Sequence, residues 1–225
     1  ILEASLNLVE KRMKEDGIDG DIFIYKNNTD SAGNTYGCHE NYLVARHIDF
    51  WRFSERLIPF FVTRQIYSGA GKILRESGKT FFSISQRAQH INQKISCSTT
   101  SSRSIINTRD EPHADAEKYR RLHIIVGDAN MSEYTTYLKV GITALILQMI
   151  EEGYPVKGLD LDDPVRAIKE ISRDLTLRKT VKLENGMALT AIEIQRSYLG
   201  LVQDYLAHRK RDAVTADLLE KWEFV

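Results

Sequence analysis

Apolar positions along this chain recur with two different periods, and the switches between them mark out its elements. From Ile1 to Asp16, the residues Ile1, Leu2, Leu6, Val9 and Met13 fall near helical spacing, and Gly17 can end the run. Asp21 to Lys26 (DIFIYK) alternates and is rich in β-formers, which predicts a strand. Asn27 to Asn34 (NNTDSAGN) is dense in turn formers and predicts a hairpin connection, with Thr35 to Arg46 as the return strand. A long amphipathic helix follows from about Phe50 to Tyr67, stopped by Ser68-Gly69-Ala70-Gly71. Short strands are predicted at Thr80 to Ser85, Arg103 to Asn107 and Arg120 to Gly127. Glu133 to Ile150 carries Leu138, Ile142, Leu145, Ile146 and Met149 on one side, which predicts a helix closed by Gly153. Asp162-Asp163-Pro164 opens another helix, since an acidic cap and a proline suit a first turn. Val181 to Leu189 reads as a hairpin around Glu184-Asn185-Gly186. Thr190 with Glu193 forms a capping box, so the last predicted helix runs to about His208. Hairpins followed by helices favour an α+β fold with an antiparallel sheet packed against helices.

Composition narrows the function classes. Of 225 residues, 42% are hydrophobic and 28% charged, the profile of a globular chain and not of a disordered one. Lys plus Arg (31) equals Asp plus Glu (31), so no surplus of basic charge argues for nucleic acid or for an anionic membrane. No run of about eighteen apolar residues is present, so no membrane span is expected. Cys38 and Cys97 are far apart and neither lies in a C-x-x-C pair, which fits two reduced thiols in a cytoplasmic protein better than a zinc site or a disulfide framework. Asn27-Asn28-Thr29 matches a glycosylation sequon, but nothing else points to secretion. The chain opens at Ile1, inside what reads as a helix, so a preceding N-terminal part is expected.

Three polar stretches carry ionisable residues inside predicted strands. In Gly37-Cys38-His39-Glu40-Asn41-Tyr42-Leu43, alternation puts His39 and Asn41 on one face and Cys38, Glu40 and Tyr42 on the other. A carboxylate in mid-strand is costly to bury unless it is paired or binds a cation; the plainer alternative is a strand with one face in water. In Asn107-Thr108-Arg109-Asp110-Glu111-Pro112-His113-Ala114-Asp115, the Arg109 fork suits carboxylate or phosphate, and Asp110, Glu111, His113 and Asp115 could bind metal or orient the arginine. A solvated polar loop accounts for the same composition. In Tyr119 to Asn130, Arg121, His123 and Ile125 share one face of a strand, and Arg120, Leu122 and Ile124 the other. His123 is then either a metal ligand or a core histidine with a satisfied hydrogen bond. Gly69-Ala70-Gly71-Lys72 is not a phosphate-binding loop: its glycines follow a helix, and Ile73 stands where Ser or Thr is needed.

The longer polar blocks are more specific. KNNTDSAGNTYGCHENYL (Lys26 to Leu43), FFVTRQIYSGAGK (Phe60 to Lys72), SQRAQHI (Ser85 to Ile91) and above all IINTRDEPHADAEKYRRLHIIVGDANMSE (Ile105 to Glu133) closely resemble the family of Pup ligases and Pup deamidases/depupylases. The resemblance runs from about Asp21 to Leu206. It implies a glutamine-synthetase-like fold, in which a curved antiparallel sheet backed by helices cradles ATP and magnesium (Mg2+), incomplete here at its N-terminus. Residues 1–225 would form the central part of the large catalytic domain, without the family's acidic G-x-E-T-E segment, its catalytic aspartate or its small C-terminal domain, and the fragment alone would lack full activity. In the ligase, ATP phosphorylates the side-chain carboxylate of the C-terminal glutamate of Pup, and a lysine amine of a target protein displaces the phosphate, marking the target for proteasomal degradation.

Carried over by position, the resemblance implies Glu40 and His123 as metal ligands and Arg109, Arg121 and Asn41 as contacts to ATP or carboxylate. Arg120 and Arg121, with Arg103 and Arg109 nearby in sequence, would form a basic patch for the acidic C-terminal half of Pup. NNTDSAGN and the run from Ser101 to Tyr119 resemble the ligase branch. GDANMSEYTTYLKVG, with Ala129 and Tyr137, and ISRDLTLRKTVKL, with Arg173, lean towards the deamidase. The resemblance favours the ligase, with the deamidase and a non-catalytic Pup-binding fragment as alternatives.

Overall fold

In the computed structural model, residues 2–76, 78–98 and 102–225 are described. Ile1, at the head of the predicted first helix, and Ser101, at the head of the ligase-like run, lie outside them. The elements are α1 (Leu2–Glu15), β1 (Glu40–Ala45), α2 (Phe50–Thr63), α3 (Gln65–Ser68), β2 (Lys72–Glu76), β3 (Lys79–Ser83), β4 (Gln93–Ser96), β5 (Ser104–Asn107), β6 (Tyr119–Ile124), α4 (Glu133–Glu151), α5 (Pro164–Arg173), β7 (Thr180–Lys182), β8 (Ala188–Thr190), α6 (Ala191–Tyr205) and α7 (Ala213–Phe224). The main sheet has four strands in the order β1-β6-β5-β4, beside two separate hairpins, β2-β3 and β7-β8. The predicted α+β class holds, with one modification: β4 runs parallel to β5, so the sheet is antiparallel except at that edge.

Helix ends follow local chemistry. Asp49 caps α2 by accepting from the Trp51 and Arg52 amides, Asp163 caps α5 ahead of Pro164, and the Thr190–Glu193 capping box opens α6 as predicted. The predicted helix from Phe50 to Tyr67 is broken at Arg64, which closes α2 and opens α3. Asp21 to Lys26 is not a strand: no neighbour supplies a ladder, and Phe23, Ile24 and Tyr25 are exposed. The turn at Asp30 to Gly33 does form, bridged only by Thr29 and Thr35, and the return strand shortens to β1.

α2, α4, α5 and α6 pack behind the main sheet around Phe53, Leu57, Phe60, Ile106, Leu122, Ile124, Ile142 and Ile146. The register places Glu40, Ile124, Ile106 and Ile95 in one row across all four strands, and Asn41, His123, Asn107 and Ser96 in the adjacent row. Adjacent rows point to opposite faces, so the first faces the helices and the second the side without helices, here called the open side, where His123 and Asn107 are nonetheless buried beneath His39 and the Ser98 carbonyl. α7, which the sequence reading did not predict, closes the helical layer through Leu218, Leu219 and Trp222, with Trp222 edge-on to Phe60.

Gly69, just past α3, sits where a Cβ would lie 2.3 Å from the Ile84 carbonyl oxygen and 2.8 Å from that of Gln65. Both obstacles are backbone and cannot swing aside. Gly69→Ala should cost about 1–3 kcal/mol by overpacking. Urea denaturation reads this directly, and an unchanged midpoint would contradict the close approach.

Candidate functional site

On the helix side, β1 brings Glu40 against Arg64 at the α2–α3 joint. Arg64 Nη1 donates to Glu40 Oε2 at 2.9 Å and to Thr143 Oγ1 at 2.9 Å, and Arg64 Nη2 donates to Glu40 Oε1. Tyr42 donates its hydroxyl to Glu40 Oε2 at 2.7 Å, and the guanidinium lies 4.7 Å from the Phe61 ring centroid. Arg64 is 1% exposed and Glu40 8%, so this is a buried ion pair. Burial works to raise the Glu40 pKa, but the adjacent Arg64 charge and its hydrogen bonds hold it below the ordinary value. Burial first, then the Glu40 charge and its hydrogen bond, pushes the Tyr42 hydroxyl up, with the Arg64 charge working against them.

A second buried hub lies beyond the end of β6. Asp128 Oδ2 accepts from the Ala70 and Gln86 amides, each at 2.9 Å, and Oδ1 accepts from Ser85 Oγ at 3.0 Å and the Arg87 amide at 3.2 Å. Lys139, on α4, donates to the Asp128 carbonyl at 2.7 Å and to Asn130 Oδ1 at 3.0 Å. Arg87 donates to the Ile125 carbonyl at 2.8 Å and also to the Gly127 carbonyl. Asn28 and Ala129 exchange hydrogen bonds, so the loop before β1 is pinned to this hub. The sequence reading missed Arg64, Arg87, Asp128 and Lys139 as a set. The available signal was a charge set into an apolar run, as in Phe61-Val62-Thr63-Arg64 and Leu138-Lys139-Val140.

The open side gathers different chemistry. His123 Nε2 lies 3.1 Å from His39 Nδ1, Arg121 Nε donates to Asn41 Oδ1 at 2.6 Å, and Arg109 Nε donates to Glu111 at 2.9 Å. Arg121 lies 3.6 Å from the second Glu111 oxygen, and Asn107 Oδ1 accepts from the Arg109 amide at 2.9 Å. Burial first, then the Arg121 charge and His39, lowers the His123 pKa to about 4, so its ring is neutral at ordinary pH. Burial and the charges of Arg87 and Arg121 lower that of His39 as well. Two guanidinium groups beside neutral imidazoles and amides can receive an anionic group.

Several expectations change here. Glu40 and His123 lie in adjacent rows on opposite faces, so they cannot hold one ion together. Both Glu40 oxygens are engaged, and among the described residues no three His, Cys, Asp or Glu side chains are grouped to hold a metal. Magnesium favours an octahedron of oxygen ligands, and these residues do not fit it. Arg120 faces the helices, over the Phe50 ring at 4.8 Å and 3.4 Å from Asp110, so it does not share a patch with Arg121 and Arg109. Arg103 reaches back to the Thr35 carbonyl at 3.1 Å. Of the polar loop, Asp110 pairs with Arg46 and Asp115 with Lys118, while His113 is exposed at φ 51°.

A family model described as "Pup-ligase protein" matches residues 1–225. The Pup–protein ligase of Actinosynnema mirum is 56% identical over 222 residues, which covers 99% of this chain and 49% of that protein. That of Geodermatophilus obscurus is 54% identical with the same coverage. The Pup ligase PafA in complex with ADP superposes with a TM-score of 0.82 at 40% identity, over 99% of this chain and 50% of that one. PafA in complex with Pup gives 0.81 at 40% identity, over 98% and 45%. The chain thus spans about half the length of the curated relatives it matches.

Removing Glu40 should leave a buried, unpaired Arg64, which costs about 3–5 kcal/mol. Glu40→Ala is therefore expected to lose stability along with any activity, and not activity alone. In a double-mutant cycle by urea denaturation, Arg64→Met should recover much of that loss. The Glu40 contribution should be full above the ordinary carboxylate value near 4.5 and fade as pH falls through its lower folded value. A double variant whose loss equals the sum of the two single losses would remove the coupling.

Proposed function

The chain belongs to the Pup-ligase family, and on that premise we propose that it is part of a cytoplasmic, ATP-dependent ligase joining the C-terminal glutamate side chain of Pup to lysines of target proteins. The observation that carries the proposal is 54–56% identity, across 99% of this chain, to proteins named Pup–protein ligase. The PafA complexes with ADP and with Pup support nucleotide and modifier as ligands. Among the described residues no helix is long and apolar enough to cross a membrane.

The chemistry implied by the resemblance has two steps. A carboxylate oxygen of Pup takes the γ-phosphoryl group of ATP, and ADP leaves. A neutral lysine amine then attacks the acyl carbon, phosphate leaves, and the amine loses a proton. Both steps concentrate negative charge, which fixed guanidinium groups stabilise without reorganising. Arg109 and Arg121 are assigned to that task, with Asn41 orienting Arg121 through its carbonyl oxygen. His123 lines the same face as a neutral group. Magnesium comes to this reading only through the resemblance. The identity to named ligases favours the ligase branch over the deamidase.

Arg109 is more than half exposed, and its ion pair with Glu111 lies at the surface. In the full-length protein, Arg109→Ala should lower conjugation by about 100- to 1,000-fold, the scale for removing one charge-stabilising donor. Stability should stay within about 0.5 kcal/mol, as is usual for a surface change. Wild-type rates in that variant would take Arg109 out of the site. Given ATP and Pup ending in glutamate, the full-length protein should form conjugates on an added lysine-bearing protein. Fast ammonia release from Pup ending in glutamine, without conjugates, would place it in the deamidase branch.

A further inference from the structure

Between the two buried hubs lies a cavity of about 10 Å³, lined by Phe61, Arg64, Gln65, Ser68, Gly127 and Asp128 among others. Two of the lining side chains bring hydrogen-bonding atoms that no described residue engages: the Arg64 Nε–H, a donor, and Gln65 Oε1, an acceptor, both shut off from solvent. The Gln65 amide orientation is set independently, because its Nε2 donates to the Val62 carbonyl at 2.9 Å and the Ile168 carbonyl at 3.0 Å. Flipping the amide would set its oxygen against two carbonyl oxygens. The unused acceptor is therefore a property of the fold and not of an arbitrary assignment.

The walls restrict what this cavity can take. Its size matches one water molecule, for which roughly 10–15 Å³ by a water-sized probe is the lower limit. A cation would meet the Arg64 charge, and an anion would meet the Asp128 carboxylate and the Gln65 oxygen. The ligand must accept from one wall and donate to another, and must be neutral and no larger than three atoms. We propose that this cavity is a binding site for a single structural water, which accepts from Arg64 Nε–H and donates to Gln65 Oε1. Ser68 Oγ, which donates to the Arg64 carbonyl at 2.9 Å, keeps a lone pair for the second water hydrogen.

The water gives the break between α2 and α3 a mechanical role. Arg64 is committed to Glu40 through both terminal nitrogens, and Gln65 is committed to α2 and α5 through its amide nitrogen. One water joins the remaining atom of each and so links the ion pair behind β1 to the α2–α5 contact. This assignment does not depend on the reaction the protein performs.

A high-resolution crystal structure of the full-length protein tests it, with water-to-amide cross-relaxation by NMR as a second measurement. A fully occupied water within hydrogen-bonding distance of both Arg64 Nε and Gln65 Oε1, and a long-lived cross-peak from the Arg64 Nε–H to water, are the expected results. An empty cavity, a solvent molecule touching only one of the two atoms, or a protein atom in its place would overturn the proposal. So would an Arg64 Nε–H without a bound-water cross-peak.

Discussion

Arg64 carries a charge with no route to solvent, and the architecture behind the sheet is arranged around it. A buried guanidinium is tolerated only when a carboxylate neutralises it and other acceptors use its remaining donors. Glu40 supplies the carboxylate, Thr143 a further acceptor and the Phe61 ring a face to lie against. Gly127 leaves room for the pair: a Cβ there would lie 2.8 Å from Glu40 Oε1. Because Glu40 starts β1 and Arg64 ends α2, the pair locks the phase of the edge strand to the helix layer. A one-residue slip of β1 would turn Glu40 to the open side and leave Arg64 alone.

That lock decides what the open face can offer. With Glu40 turned inward, Asn41 turns outward opposite His123, and Asn107 completes the row. The Asp128 hub, gathered from amides at Ala70, Gln86 and Arg87, fixes the chain just past β6 and so the direction in which that strand leaves the sheet. Charge is thereby sorted by face. Inward, ionised groups are satisfied by partners inside the protein and act structurally. Outward, Arg109 and Arg121 share one carboxylate, Glu111.

Much of this was legible in the sequence, and the gaps have physical causes. Alternation correctly separated Glu40 from His39 and Asn41, because the period of a strand does not depend on its neighbours. Helices α4, α5 and α6 were readable from apolar spacing and caps, and the β7–β8 turn from Asn185-Gly186. β4 (QKIS) was not, since four mostly polar residues show no period and become a strand only through pairing with β5. β2 was hidden because Gly69 to Lys72 reads as a helix stop, and Asp21 to Lys26 was over-read because its composition suits a strand that nothing pairs. α7 has Leu218, Leu219 and Trp222 on one side, but it follows the charged run Arg209-Lys210-Arg211-Asp212, which reads as an ending.

The least legible property was the partner of each ionisable group. Glu40 as a metal ligand and Glu40 as the counter-ion of Arg64 are equally consistent with the residues His39-Glu40-Asn41, because residue type fixes what a carboxylate can do and the fold fixes what it meets. The deciding residue lies 24 positions away, just past the apolar run Leu57 to Val62 at the end of α2. An arginine there has no reason to persist in a buried turn unless an acid reaches it. On the inward row of the adjoining strand, Glu40 is the acid that does. Reading charges in apolar helix runs together with the inward residues of the adjoining strand would have paired Arg64 with Glu40 before any coordinates. It would also have left His123, Arg109 and Arg121 as a separate, outward group.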